Sequence, residues 1–374
     1  MSEITRREFA RVMTAAAGVT LAGPLVGRGD APSPEGPARR GSLTDVPGIR
    51  VGQVTDTRRP TGCTAILFDD DATAGVDYDG SAPGSYLGVL LQPVSPLDKI
   101  HGLLLTGGGP MALAAVPGAV RYLEERKIGY DWGIPNTRIP IVVGGVIDDL
   151  SIGDPKIRPD AEAAYKACLA ATSAPVEEGN VGVGAGGTVG KMLLSHGYGG
   201  MKGGLGTASL RLGDVVIGAM VVINCVGDIV DWRTGKIVAG ARRPDGKGFA
   251  GITETIKALA GRVEESSLKF HDPVLRSTTL VVVATNADFS KIALTKIAMM
   301  ASTGAARTIN PYHTNGDGDS TFALSTNKVK SELTISVVGT LGAELVSEAV
   351  LRAAKAANSI EGWPAYRDFT AKLS

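Results

Sequence analysis

Five side chains have the types and spacing for acyl chemistry: Lys191, Asn224, Thr278, Asp317 and Asp319. Thr278 stands in Ser277-Thr278-Thr279, directly before the apolar, β-branched run 280–284, so the hydroxyls sit at the mouth of an expected buried strand. Breaking the peptide bond before Thr278 would give one small residue both a nucleophilic hydroxyl and a free amine to serve as its base. Asp317-Gly318-Asp319 places two carboxylates around a glycine that lets the backbone turn sharply, so both can face one cavity. Lys191 closes the glycine-dense segment 180–191, and Asn224 closes the nearly all-apolar run 215–224, where an amide must find partners or line a pocket. Together they supply a cation, an amide donor, a nucleophile and two orienting acids without metal or histidine.

Competing chemistries find less support. The four histidines, His101, His196, His271 and His313, lie in neither a nucleophile-elbow nor a His-Glu-x-x-His context. Residues 315–321 alternate oxygen ligands but lack the terminal Glu of a calcium loop, and a solvated turn is the plainer alternative. Gly107-Gly108-Gly109 follows an expected strand without the P-loop Lys-Ser/Thr or dinucleotide spacing, and reads as a turn lining a pocket, with Gly108 and Gly109 as substrate-side candidates. Cys63, Cys168 and Cys225 are odd in number, without metal spacing, and read as small buried residues. No metal or other cofactor is expected.

The elements that must position these residues follow from periodicity and turns. Strands are expected over 43–52 and 62–68, at 100–105, at 139–147 ending in Asp148 and Asp149, in a hairpin of 201–212 and 215–224 around Gly213-Asp214, at 280–284, and last at 333–338. Helical spacing marks 111–126, 160–171, 290–307 and 342–358, while 228–272 reads as an exposed loop plus a short helix, where a chain can be severed without breaking a sheet. The alternation of strands and helices is that of a tightly turned α/β protein.

With 38 basic and 38 acidic residues the chain carries no field to attract nucleic acid, and a small neutral substrate fits better. Hydrophobic residues make up 44% of it, ample for a buried core. Arg6-Arg7-Glu8-Phe9, the Ala/Gly-rich run to Val26 and a Gly/Pro-rich linker to Gly41 match a twin-arginine export signal, so residues 1–41 are read as signal and linker and the mature protein as periplasmic or secreted. That run is too short and too small in side chain to be a convincing membrane span.

The motifs Leu43-Thr-Asp-Val-Pro-Gly-Ile-Arg-Val-Gly, Gly182-Val-Gly-Ala-Gly-Gly-Thr-Val-Gly-Lys, Lys202-Gly-Gly-Leu-Gly-Thr-Ala-Ser, Asn224-Cys-Val-Gly, Thr278-Thr-Leu-Val-Val-Val-Ala-Thr-Asn and His313-Thr-Asn-Gly-Asp-Gly-Asp occur in one order. In these the chain resembles the DmpA-like self-processing aminopeptidases, which include β-peptidyl aminopeptidases, L-aminopeptidase/D-esterases and nylon-oligomer hydrolases. The resemblance implies an α-β-β-α sandwich of the DmpA/ornithine-acetyltransferase type, a single catalytic domain over 42–374, and self-cleavage into an α chain ending at Ser277 and a β chain of Thr278–Ser374. It also implies assembly as a homotetramer of αβ units. Thr278 would be the nucleophile and, through its new amine, the base. Lys191 would stabilise charge beside it, Asn224 would donate to the oxyanion, and Asp317 and Asp319 would orient the nucleophile.

Two departures matter. Ser277 stands where the Thr-type relatives usually carry Asn, which leaves the cut open between Arg276/Ser277 and Ser277/Thr278. Asp148 replaces the family's pocket Tyr, and an acid there suits a substrate's free amine. The implied activity is amide hydrolysis of short peptides, amino-acid amides or ω-amino-acid oligomers. An ornithine acetyltransferase-like acyl transferase, or a non-catalytic binding protein of the same fold, are the alternatives.

Overall fold

Fourteen strands among the described residues carry the architecture. In chain order they are β1 (Ile49–Asp56), β2 (Thr61–Asp77), β3 (Ser85–Tyr86), β4 (Lys99–Thr106), β5 (Val142–Val146), β6 (Thr188–Val189), β7 (Met201–Lys202), β8 (Leu205–Leu212), β9 (Val215–Val222), β10 (Asp228–Asp231), β11 (Lys236–Ala239), β12 (Leu280–Ala287), β13 (Ile309–Asn310) and β14 (Ser320–Val329). The structure is a computed structural model of the uncut chain and describes residues 41–260 and 277–371. The expected export signal and residues 261–276, the last part of the expected linker and the stretch before Ser277, lie outside the described residues.

The main sheet runs β3-β5-β4-β2-β14-β12-β9-β8, with β1 paired to β2. Strand β2 is the bend. Its first half pairs with β1, its second half with β14, and its register to β4 slips between Leu67 and Ala72, beside the exposed Asp69 and Asp70. The single sheet thereby folds into two facing layers.

Strand alternation then assigns the layers. On β12, Leu280, Val282 and Ala284 join the core shared with β1, β4 and β5, while Val281 and Val283 join the core under the helices Lys291–Thr308 and Ile335–Ala356. On β4, Leu103 and Leu105 enter the inter-sheet core, and Leu104 packs with residues of the helices Val116–Glu125 and Ala161–Leu169. Helix, sheet, sheet and helix are therefore stacked, as the resemblance implied. All three cysteines are buried and free.

Some expectations are corrected. Residues 333–338, read as a last strand, begin the helix Ile335–Ala356, whose N-cap Thr334 accepts the N–H of Val337. The β-branched run is overridden by tertiary packing. Against the helix Lys291–Thr308, a Cβ on Gly304 would lie 2.0 Å from the carbonyl oxygen of Ala343, so the two backbones meet directly. The last strand is instead β14. The segment 111–126 is not one helix, since Pro110–Ala115 is a 3-10 turn before Val116–Glu125. The segment after Asn224 is not simply an exposed loop: Asp228 is buried and its carboxylate accepts the N–H groups of Ala241 (2.7 Å) and Ile252 (2.8 Å). That pins the β10–β11 hairpin to the helix Ile252–Ala260, and burial raises Asp228 to about 6.

Candidate active site

Sheet register brings the chemistry together. Leu280, the first residue of β12, lies opposite Val222 at the end of antiparallel β9 and opposite Ser320 at the start of parallel β14. The residues just outside those three strand ends are Asn224, Thr278 and Asp319. Three points far apart in sequence thus converge at one edge of the sheet.

Thr278 is buried in the uncut chain. Its N–H donates to the carbonyl oxygen of Asn224 (2.9 Å), and its hydroxyl donates to the carbonyl oxygen of Ser277 (2.7 Å). The N–H of Gly318 donates to that same Ser277 oxygen at 2.9 Å. A side-chain hydroxyl and a backbone donor therefore meet at the carbonyl that a cut between Ser277 and Thr278 would attack. No side chain would fit at Gly318, where a Cβ would lie 2.6 Å from the Ala82 carbonyl oxygen and 2.7 Å from Thr278 Oγ1.

The two acids hold separate tasks. Asp319 is fully buried; its Oδ1 accepts the N–H of Thr279 at 2.5 Å and its Oδ2 accepts the N–H of His313 at 3.3 Å. Asp317 uses Oδ2 for the N–H (2.9 Å) and hydroxyl (2.7 Å) of Thr314, while its Oδ1 is buried with no hydrogen-bond partner among the described residues. Burial, then the nearby charge of Asp319, raises Asp317 to about 6. A buried carboxylate oxygen without a donor is costly unless a donor arrives in another state.

Lys191 donates from Nζ to the carbonyl oxygen (3.0 Å) and to Oδ1 (2.9 Å) of Asn224. It is held by the glycine segment 182–190, which is anchored by Lys202: this fully buried ammonium donates to the carbonyl oxygens of Gly184 (3.2 Å), Gly187 (2.8 Å) and Gly203 (2.8 Å). Burial lowers Lys191 to about 8, against the opposing pull of its neighbours Asp317, Asp148 and Asp149. Asn224 Oδ1 also accepts from the N–H and hydroxyl of Thr188, and its Nδ2 donates to the carbonyl oxygen of Asp148 at 3.0 Å. In the uncut chain an Asn224 amide hydrogen thus reaches Asp148, and the Gly318 N–H is a backbone donor at the Ser277 carbonyl.

Asp148 is partly exposed, and its Oδ1 accepts the N–H of Leu150. Asp149 is buried beneath it. There it takes Arg59 (2.6 Å), the Thr61 hydroxyl (2.7 Å) and the N–H of Gly108 (2.8 Å), so the Gly107–Gly109 turn is fixed on this carboxylate. Gly109 approaches the Asp148 side, where a Cβ would lie 3.6 Å from Asp148 Cγ. All the expected site residues are therefore linked, the Gly108 and Gly109 turn through Asp149 and Asp148 to Asn224, Lys191 and Thr278. Sequence reasoning missed Gly318 as a donor and Arg59 as a support. In the sequence Gly318 signals only a turn, and Arg59 looks like an ordinary residue of a polar turn before Pro60.

Comparison with known proteins gives this arrangement its context. Residues 41–366 match peptidase family S58. An uncharacterized aminopeptidase of Mycobacterium leprae is 37% identical over 361 residues, covering 87% of this chain and 93% of the relative. A 6-aminohexanoate-oligomer endohydrolase of Kocuria sp. is 30% identical over 324 residues, covering 83% and 85%. Among solved structures, an L-aminopeptidase D-Ala-esterase/amidase from Ochrobactrum anthropi, described as a variant of the Ntn hydrolase fold, aligns with a TM-score of 0.60 at 21% identity over 86% of this chain and 87% of its own. At that identity the last likeness speaks for the fold, which is the four-layer stack found here. By the extent of the family match and by its relatives, the chain belongs to peptidase family S58.

Proposed function

We propose that the protein is a self-processing N-terminal-nucleophile amide hydrolase that cuts itself between Ser277 and Thr278. The observation that carries this reading is the convergence of the Thr278 hydroxyl and the Gly318 N–H on the carbonyl oxygen of Ser277. Attack of Oγ1 on the Ser277 carbonyl carbon forms an ester as the C–N bond breaks, and the hydroxyl proton ends on the departing nitrogen. Water then opens the ester and leaves Thr278 with a free α-amine. Gly318 donates to the oxygen that becomes negative in the tetrahedral state.

In the cut protein the Thr278 amine, with an ordinary pKa near 8, takes the hydroxyl proton as Oγ1 attacks a substrate amide. The substrate's amine leaves and water releases the acid from the acyl-Thr. The unpartnered Oδ1 of Asp317 offers an acceptor to the new ammonium, Asp319 fixes the backbone after the nucleophile, and Lys191 supplies positive charge beside Asn224.

The proposed substrates are short peptides, amino-acid amides or ω-amino-acid oligomers. The aminopeptidase and 6-aminohexanoate-oligomer relatives support that range, and the partly exposed carboxylate of Asp148 suits a substrate's free amine. The paired arginines and Ala/Gly-rich run near the amino terminus support twin-arginine export to the periplasm or beyond, and the family resemblance supports assembly as a homotetramer of αβ units. The test is intact-mass analysis of purified wild type and Thr278→Ala, with hydrolysis of an amino-acid p-nitroanilide and a 6-aminohexanoate oligomer followed in parallel. Wild type should show a fragment beginning at Thr278 and hydrolyse at least one substrate, and the variant neither. A wild type that stays whole and inert defeats the reading.

A further inference from the structure

His313 stands between two carboxylates that belong to different parts of the fold. Its Nδ1 lies 3.2 Å from Asp319 Oδ2, an ion-pair approach without hydrogen-bond alignment, and its own N–H donates to the same oxygen. On the other side Nε2 lies 3.3 Å from Asp79 Oδ2 and 3.1 Å from the hydroxyl of Ser302, which itself donates to Asp79 (2.6 Å). The residue adopts φ +54°, a left-handed conformation that non-glycine residues seldom take, and its ring rests 3.7 Å from that of Tyr312. Backbone bonds from Gly80 to the Asp319 carbonyl and from Ala82 to the Asp317 carbonyl tie the same two segments together.

We propose that His313 is a positioning residue for Asp319: clamped between Asp79 and Asp319, its backbone N–H and its ring keep the Asp319 carboxylate aimed at the N–H of Thr279. The inference rests on the reading of Thr278 as the self-cutting nucleophile. The Nε2 side is tied to Ser302 and Asp79, so the ring cannot swing away from the Asp319 carboxylate that Nδ1 faces. Asp319 is otherwise fully buried beside the like charge of Asp317.

Other titratable groups surround the ring. Asp77 lies behind Asp79, and burial, then the Asp79 hydrogen bond, raises it to about 7. Lys296, from the helix Lys291–Thr308, pulls Asp77 the opposite way. Tyr312 is neutral, its buried hydroxyl raised well above the ordinary range. His313 itself is about a quarter exposed, so its proton can exchange with solvent.

The test follows self-cutting of the full chain against pH in wild type, His313→Ala and His313→Gln, with thermal melts on each. If His313 acts as inferred, both variants fold, cut up to roughly 100-fold more slowly, as misplacement of a reacting group predicts, and shift the acid limb that Asp317 sets beside Asp319. Should His313→Ala fail to fold, His313→Gln decides, because it keeps a polar donor of similar reach and loses the ring. A slower rate with an unmoved acid limb would reduce the residue to scaffold, and an unchanged rate and limb would remove it altogether. Either result overturns the inference while leaving the self-cutting reading intact; only an uncut wild type would count against that reading.

Discussion

The N–H of Gly318 and the hydroxyl of Thr278 share one acceptor, the carbonyl oxygen of Ser277, at 2.9 and 2.7 Å. That relationship makes the Asp317-Gly318-Asp319 turn more than a bearer of carboxylates, because its central N–H is aimed where charge develops. Gly318→Ala tests it. A Cβ there would collide with Ala82 and with Thr278 Oγ1, so the turn must retreat and withdraw the donor. Loss of one such donor is worth roughly 100- to 1,000-fold in rate. The fraction of cut chain over time, read on a denaturing gel, should fall by that order in Gly318→Ala, and a variant that matures at the wild-type rate would show that the N–H has no part in the cut.

The pH dependence of self-cutting follows from two buried groups. Asp317, raised to about 6 by burial and by Asp319, is a carboxylate above that pH and is neutralised as pH falls through it. Lys191, lowered to about 8 by burial, is a cation below that pH and is neutralised as pH rises through it. The charged forms of both coexist only in between. The maturation rate should therefore be bell-shaped with limbs near 6 and 8. The uncut chain has no Thr278 α-amine to confuse the alkaline limb. Lys191→Met should abolish that limb along with most of the rate, and a profile that keeps rising past pH 9 would deny Lys191 its charge-stabilising role.

Much of this was legible in sequence because strand ends announce themselves. The run after Thr278, the apolar stretch ending at Asn224 and the Gly213-Asp214 turn each carry a local signal, and the register of β9, β12 and β14 does the rest. What escaped was set by partners distant in the chain. Residues 333–338 alternate like a strand, yet become helical because Gly304 and Ala343 allow two helices to touch. Asp228 reads as a loop acid until Ala241 and Ile252 close on it. The orientation of the Asn224 amide toward Asp148 depends on a strand edge that no residue near 224 encodes.

Arg59 and Asp149 form an ion pair in which both side chains are fully buried, with the remaining guanidinium donors on the carbonyl oxygens of Asp149, Ile152 and Ile157. Removing one partner of such a pair strands the other without water. Arg59→Met should lower the unfolding free energy by roughly 3–5 kcal/mol in urea titration of Thr278→Ala, a background intended to stay as one chain. The double variant Arg59→Met/Asp149→Leu should recover part of the loss. If the single variant loses less than 1 kcal/mol, the pair is not what fixes the Gly107–Gly109 turn.

Asp148 is the group through which substrate preference can be tested. Its carboxylate is partly exposed, while its carbonyl oxygen is held by Asn224 Nδ2, so the side chain can be changed without touching that backbone contact. If the carboxylate meets a substrate's ammonium, Asp148→Asn removes the charge, keeps the size and still lets a side-chain oxygen accept the N–H of Leu150. The KM for an amino-acid amide with a free amine should rise roughly tenfold, equivalent to about 1.4 kcal/mol, with kcat and the extent of self-cutting little changed. The same substrate with its amine acetylated should gain nothing from Asp148 and lose nothing in the variant. Equal effects on both substrates would mean that Asp148 shapes the site only through its backbone, and that amine recognition lies elsewhere.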